Sequence, residues 1–162
     1  MCGIVGYVGA REAAPILLQG LEKLEYRGYD SAGIALLEDG RLEVIKTRGR
    51  IAALRERVEQ KGPLTARCGI GHTRWATHGE PSELNAHPHV SENGRVALVH
   101  NGIIENYQEL REMLRAKGFV IRTQTDSEVA AHLFQMNYRG DALEALRETM
   151  KLLRGSYALG VV

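Results

Sequence analysis

Short apolar runs and longer amphipathic stretches take turns along this chain. Ile4-Val5-Gly6-Tyr7-Val8, bounded by Gly3 and Gly9, predicts a buried strand. Residues 13–24 predict a helix, with Ile16, Leu17, Leu21 and Leu24 on one face and Pro15 tolerated near its start. Two strand-like runs, 32–37 and 42–46, flank Glu38-Asp39-Gly40-Arg41, and Asp-Gly between such runs predicts a hairpin. Residues 51–59 carry Ile51, Leu54 and Val58 at helical spacing, and Gly62-Pro63 ends that helix. Residues 68–71 read as another strand, and 90 with 96–99 as a second hairpin around Glu92-Asn93-Gly94. Helices are expected over 105–117, over 127–136 with Ser127 as N-cap, and over 142–153. Short strands are expected at 119–121 and 157–162. Because strands come in adjacent pairs, the pattern indicates an α+β fold with largely antiparallel sheets. The runs 4–8, 32–36 and 68–71 are expected at the sheet centre.

Composition narrows the function classes. Lys plus Arg number 21 against 20 Asp plus Glu, a net charge of +1. So even a balance argues against a general nucleic-acid or membrane-surface binder. With 44% apolar and 25% charged residues the 162-residue chain can bury one ordinary core. The 18 glycines suggest tight turns and close backbone approaches. Cys2 and Cys68 are too few for a disulfide framework, the first residues lack a secretory n-region, and the apolar runs are too short to span a bilayer. A cytoplasmic location with reduced thiols is the expectation.

Three features could carry chemistry. Removal of Met1 would leave Cys2 with a thiol and a free α-amine, whose ordinary pKa of ~7.7–8.0 suits a general base. A buried strand thiol is the plainer reading of Cys2 alone. Residues 73–89 have no period, and a loop that long is commonly functional. That region and its flanks hold five of the six histidines: His72, His78, His87, His89 and His100. They could be structural, or with Cys68 they could hold zinc, although no Cys-x-x-Cys or His-Glu-x-x-His spacing is present. Asn101-Gly102 reads as a turn, or as an amide and an N–H forming an oxyanion hole at a strand end. Arg74 and Asp126 are surface charges, or a pair matched to the carboxylate and ammonium of an amino acid.

Taken together, the residues resemble a known family. Met1-Cys2-Gly3-Ile4-Val5-Gly6-Tyr7-Val8-Gly9 is similar to the opening of class II glutamine amidotransferases, which are N-terminal nucleophile hydrolases. Tyr26-Arg27-Gly28-Tyr29-Asp30-Ser31, Gly71-His72-Thr73-Arg74-Trp75-Ala76-Thr77-His78-Gly79, Asn85-Ala86-His87-Pro88-His89, His100-Asn101-Gly102-Ile103-Ile104-Glu105-Asn106 and Thr125-Asp126-Ser127-Glu128 resemble the branch whose ammonia acceptor is fructose 6-phosphate.

The resemblance implies an αββα sandwich of two antiparallel sheets, cut short at the C-terminus. It implies L-glutamine as substrate and Cys2 as nucleophile, with its own α-amine as base. Asn101 and Gly102 would stabilise the oxyanion. Arg74 would bind the α-carboxylate of glutamine and Asp126 its α-ammonium. Thr77 and His78 would line the pocket, Trp75 would gate the ammonia path, and Arg27 and Tyr29 would lie over the site. No metal and no cofactor are implied, which returns the histidines to a structural role. Fructose 6-phosphate would be met only in sugar-phosphate isomerase domains absent from this chain, in a full-length homodimer.

Overall fold

Alternation along the strands sorts the side chains into layers. The computed structural model describes residues 2–162. One sheet holds β1 (Gly3–Val8), β4 (Cys68–Arg74), β2 (Ser31–Glu38) and β3 (Arg41–Arg48), in that order and antiparallel throughout. Ala32, Ile34 and Leu36 face outward from β2 onto α1 (Ala13–Leu24) and α2 (Ile51–Lys61), meeting Leu17, Leu21 and Leu54. Each such leucine buried contributes about 1.5–3 kcal/mol. Ile4, Ala35 and Ile70 face the other way, onto a second sheet.

The second sheet holds β5 (His89–Val90), β6 (Ala97–Gly102) and β7 (Tyr157–Val161). Ala97 and Val99 meet the first sheet. Leu98, one step out of phase, meets α3 (Tyr107–Ala116) and α4 (Glu128–Asn137), beside which lies α5 (Ala142–Leu152). The layers therefore run helices, sheet, sheet, helices, the expected αββα order. None of the described helices is long and apolar enough to cross a membrane.

Hairpin β2–β3 turns at Asp39 and Gly40, both with positive φ (49° and 73°), as an Asp-Gly turn requires. At Gly33 a Cβ would sit 2.2 Å from the His87 carbonyl oxygen, so only glycine lets the 75–88 segment cross β2 this closely.

Several expectations need correction. β1 lies at a sheet edge, not the centre, and its Val8 is exposed. Its apolar residues are covered by the layers on its two faces, while β2 and β4 are the laterally central strands. Residues 119–121 form no strand: Phe119 and Ile121 pack against the α3–α4 cluster, and Phe119 N–H closes α3 on the Leu114 carbonyl. α3 starts at Tyr107 rather than 105, because Asn106 binds across the layer to the Leu152 carbonyl and the Arg154 N–H. Ser127 stands at the start of α4 but makes no side-chain cap; its hydroxyl faces His100 Nδ1 at 2.7 Å. β4 runs on past 71 to Arg74, which carries its alternation into the site.

Candidate active site

The site lies where the two sheets end side by side. On β1 the inward face is that of Ile4, and Cys2 continues it. On β4 the same face carries Ile70, His72 and Arg74. Across the seam, Asn101 continues the face of Ala97 and Val99 on β6. A cavity of about 570 Å³ opens at this end, walled by Cys2, Arg74, Asn101, Gly102 and Asp126, with Trp75, Thr77, His78 and Arg27 also on its lining.

Cys2 is half-buried, and its Sγ accepts the Trp75 N–H at 3.2 Å. Burial pushes the thiol above its ordinary value, and the Trp75 N–H only partly opposes this. A thiol so held would need a base to become reactive, since the thiolate is the nucleophilic form. The Cys2 carbonyl oxygen accepts from Asn101 Nδ2 at 3.2 Å, tying the end of one sheet to the amide on the other.

Gly102 ends β6 at φ +113°, and a Cβ there would lie 2.1 Å from the Ser156 carbonyl oxygen. Only glycine fits. In the β6–β7 ladder Ala97 and Val162 exchange both hydrogen bonds, and the Ile103 N–H reaches Ser156. Even-numbered N–H groups of β6 therefore point away from β7. That of His100 goes to His87 Nδ1 at 3.2 Å, and the Gly102 N–H is turned the same way.

The guanidinium of Arg74 is buried and donates to the carbonyls of His78, Gly79 and Glu80, so it folds the loop after β4 around itself. Asp30 fixes the loop's first turn by accepting the Ala76 N–H. Asp126, also buried, accepts the Ile104 N–H at 2.8 Å and the Ser127 hydroxyl. Tyr29 does not line the cavity; its ring meets that of Trp75 edge to face, with centres 5.5 Å apart, and Arg50 lies over the Tyr29 ring at 5.3 Å.

The segment that presents Thr125 and Asp126 is closed by Glu128. Burial pushes its carboxyl up, but hydrogen bonds from His132, the Arg122 and Thr123 N–H groups and the Thr123 hydroxyl outweigh burial and hold it at about 2. The folded value lies below the ordinary 4.5, so this stabilisation is present above pH 4.5 and fades as pH falls toward 2. Glu128→Gln is expected to cost about 1.5–3 kcal/mol near neutrality. Urea unfolding at pH 7 and pH 3 should show the gap from wild type shrinking in acid.

His72, His87, His89 and His100 form a buried group, while His78 is half-buried against Tyr107. His72 stacks on His87 with ring centres 4.1 Å apart, and His89 Nε2 meets the Thr125 hydroxyl at 3.1 Å. Burial lowers the pKa of His87, His89 and His100, and that of His72 to about 3, so these rings are neutral. Among the described residues no group of His, Cys, Asp and Glu is arranged to hold a metal ion. Cys68 sits half-buried in β4, away from the cavity lining. In the sequence Asp30 stands out only as part of a longer motif, His72 only as one of the clustered histidines, and Ser127 only as a helix N-cap. The period-two alternation that places His72 on the face of Arg74 is the available signal for the second of these.

Residues 72–162, more than half the chain, match the glutamine amidotransferase domain family. The chain is 60% identical over 161 residues to glutamine–fructose-6-phosphate aminotransferase [isomerizing] of Thermus thermophilus, covering 99% of this chain and 26% of that protein. It is 58% identical to the Aquifex aeolicus protein of the same name, covering all of this chain and 27% of that one. The chain thus spans about a quarter of the length of these relatives. Among solved structures, it superposes along its whole length on the glutamine phosphoribosylpyrophosphate amidotransferase of B. subtilis, with a TM-score of 0.82, 30% identity and 35% of that chain covered. A structure described as the allosteric regulatory enzyme of purine biosynthesis gives a TM-score of 0.87 at 30% identity, again over the whole of this chain and 35% of the other. By the family match over more than half of its length, the chain belongs to the glutamine amidotransferase domain family.

Proposed function

We propose that this chain hydrolyses L-glutamine to glutamate and ammonia, with Cys2 as an N-terminal nucleophile. The observation that carries the reading is the convergence of Cys2, Asn101, Gly102, Arg74 and Asp126 on one cavity from separate stretches of sequence. Met1 lies outside the described residues, and its removal is part of the proposal. The freed α-amine takes the thiol proton as Sγ attacks the side-chain carbonyl of glutamine. Charge on the carbonyl oxygen is met by Asn101 Nδ2 and the Gly102 N–H. The tetrahedral adduct collapses, the amine returns its proton to the leaving nitrogen, and ammonia departs. Water then hydrolyses the γ-glutamyl thioester and regenerates the thiol. Arg74 and Asp126 hold the α-carboxylate and α-ammonium, Thr77, His78 and Arg27 complete the wall, and Trp75, braced by Tyr29, gates the exit of ammonia.

The 60% identity to proteins named glutamine–fructose-6-phosphate aminotransferase supports fructose 6-phosphate as the acceptor of that ammonia. The acceptor would bind in other domains of a full-length cytoplasmic homodimer. Intact mass is expected to show loss of Met1, and a glutamine-like electrophile should label Cys2 while sparing Cys68. A protein that keeps Met1 and hydrolyses glutamine at full rate would rule out the α-amine as base.

A further inference from the structure

We infer that His72 is a positioning residue for the reaction, acting as the fixed donor that decides which way round the Asn101 amide sits. The inference rests on the glutaminase reading above. A side-chain amide has two orientations of nearly equal shape, and only one turns its NH₂ toward the nucleophile. Here Asn101 Oδ1 lies 2.9 Å from His72 Nε2, and Asn101 Nδ2 lies 3.2 Å from the Cys2 carbonyl oxygen. The same His72 Nε2 lies 3.0 Å from the His100 carbonyl oxygen. Facing two oxygens, Nε2 must carry the ring's proton, because the other tautomer would set three acceptors against one another. The ring's remaining nitrogen, Nδ1, is buried and has no hydrogen-bond partner among the described residues. The site thus keeps a tautomer that leaves an acceptor unsatisfied, normally an unfavourable arrangement. The result is an amide locked with its donor toward Cys2.

The lock is rigid. His72 is fully buried, its backbone is fixed between β1 and β2 by pairing with Ile4 and Gly33, and its ring lies against His87. Burial lowers its pKa to about 3, so the ring is neutral near pH 7 and its donor does not change with titration there. The nearby Arg74 guanidinium opposes its protonation further, against the two oxygens of Asn101 and His100 that favour it.

The test compares His72→Phe, which keeps a flat ring for the stack, with His72→Gln, whose amide can donate near the Nε2 position. In the intact protein the Phe variant is expected to lose about 10- to 100-fold in kcat, less than removal of the donor itself, with KM for glutamine within about threefold. An aldehyde analogue of glutamine, which forms a tetrahedral adduct on Cys2, should bind weaker by the same factor. Glutamate affinity and the rate of Cys2 alkylation by iodoacetamide, which builds no oxyanion, should be unchanged. The loss should be independent of pH, and His72→Gln should recover most of it. A folded Phe variant with wild-type kcat, or one whose alkylation and glutamate affinity fall in step with kcat, overturns the inference. Should the Phe variant not fold, the wild-type protein decides: its ¹H–¹⁵N spectrum must show His72 protonated at Nε2, and an Nδ1–H tautomer overturns the inference. Wild-type protein that hydrolyses no glutamine would instead sink the glutaminase reading, leaving the tautomer measurement to stand on its own.

Discussion

Replacing Cys2 with alanine is expected to lower glutamine hydrolysis by about 10⁴- to 10⁶-fold, the range seen when a covalent nucleophile is lost and binding remains. Alanine still permits removal of Met1, so the α-amine is retained and the change isolates the thiol. Arg74 and Asp126 are anchored by contacts that do not involve Cys2: the carbonyls of the loop after β4 for one, the Ile104 N–H and Ser127 for the other. Glutamine affinity measured by calorimetry should therefore stay within a few-fold of the KM of the wild type. The two readouts together are diagnostic. Retained binding with lost turnover places the chemistry on the thiol. A variant keeping a tenth of the activity would place the nucleophile elsewhere, and Cys68, outside the cavity lining, offers no alternative there.

Asn101→Ala is expected to reduce kcat by about 10²- to 10³-fold with little change in KM, because the donor acts on charge that exists only in the transition state. Asn101→Asp should be worse than alanine despite its matching shape. One carboxylate oxygen can still accept from His72 Nε2, which leaves the other where Nδ2 now meets the Cys2 carbonyl. There it would repel the developing oxyanion and oppose ionisation of a thiol that burial already holds high. Steady-state kinetics on the two variants, ranked against each other, check this: Asp equal to or faster than Ala would mean the amide does not face the reacting oxygen.

Local pattern reveals most of the elements and much of the site, for reasons that individual residues make plain. The Asp39-Gly40 turn follows from backbone sterics that need no tertiary context. The helix 13–24 is recognisable because its buried leucines recur at helical spacing. Sheet order is different. The apolar run of β1 reports burial of its faces, and nothing in Ile4 or Val5 says whether a strand lies on both of its sides. Phe119 and Ile121 likewise carry strand-like chemistry, but their partners are helices contributed by other parts of the chain. In the site, Cys2, Arg74, Asn101 and Asp126 are recognisable by motif, and the structure brings them to one cavity. What stays hidden is how each is aimed. The hold of Arg74 on the 78–80 carbonyls and that of Glu128 on 122–123 depend on folded geometry.

The seam between the sheets has a mechanical consequence. Cys2, the proposed nucleophile, hangs from one sheet and Asn101, the proposed oxyanion donor, from the other, and no covalent bond between them is nearer than the long path through the chain. Their separation is set by how closely the sheets nest, and small residues line that seam: Ala35, Ala97 and Gly160, where an added Cβ would already touch Ile4 and Ile70 of the facing sheet at 3.6 and 3.7 Å. The reaction centre therefore works as a caliper closed across the core. A methyl group added in the seam, far from any substrate atom, opens the caliper and is felt at its tip.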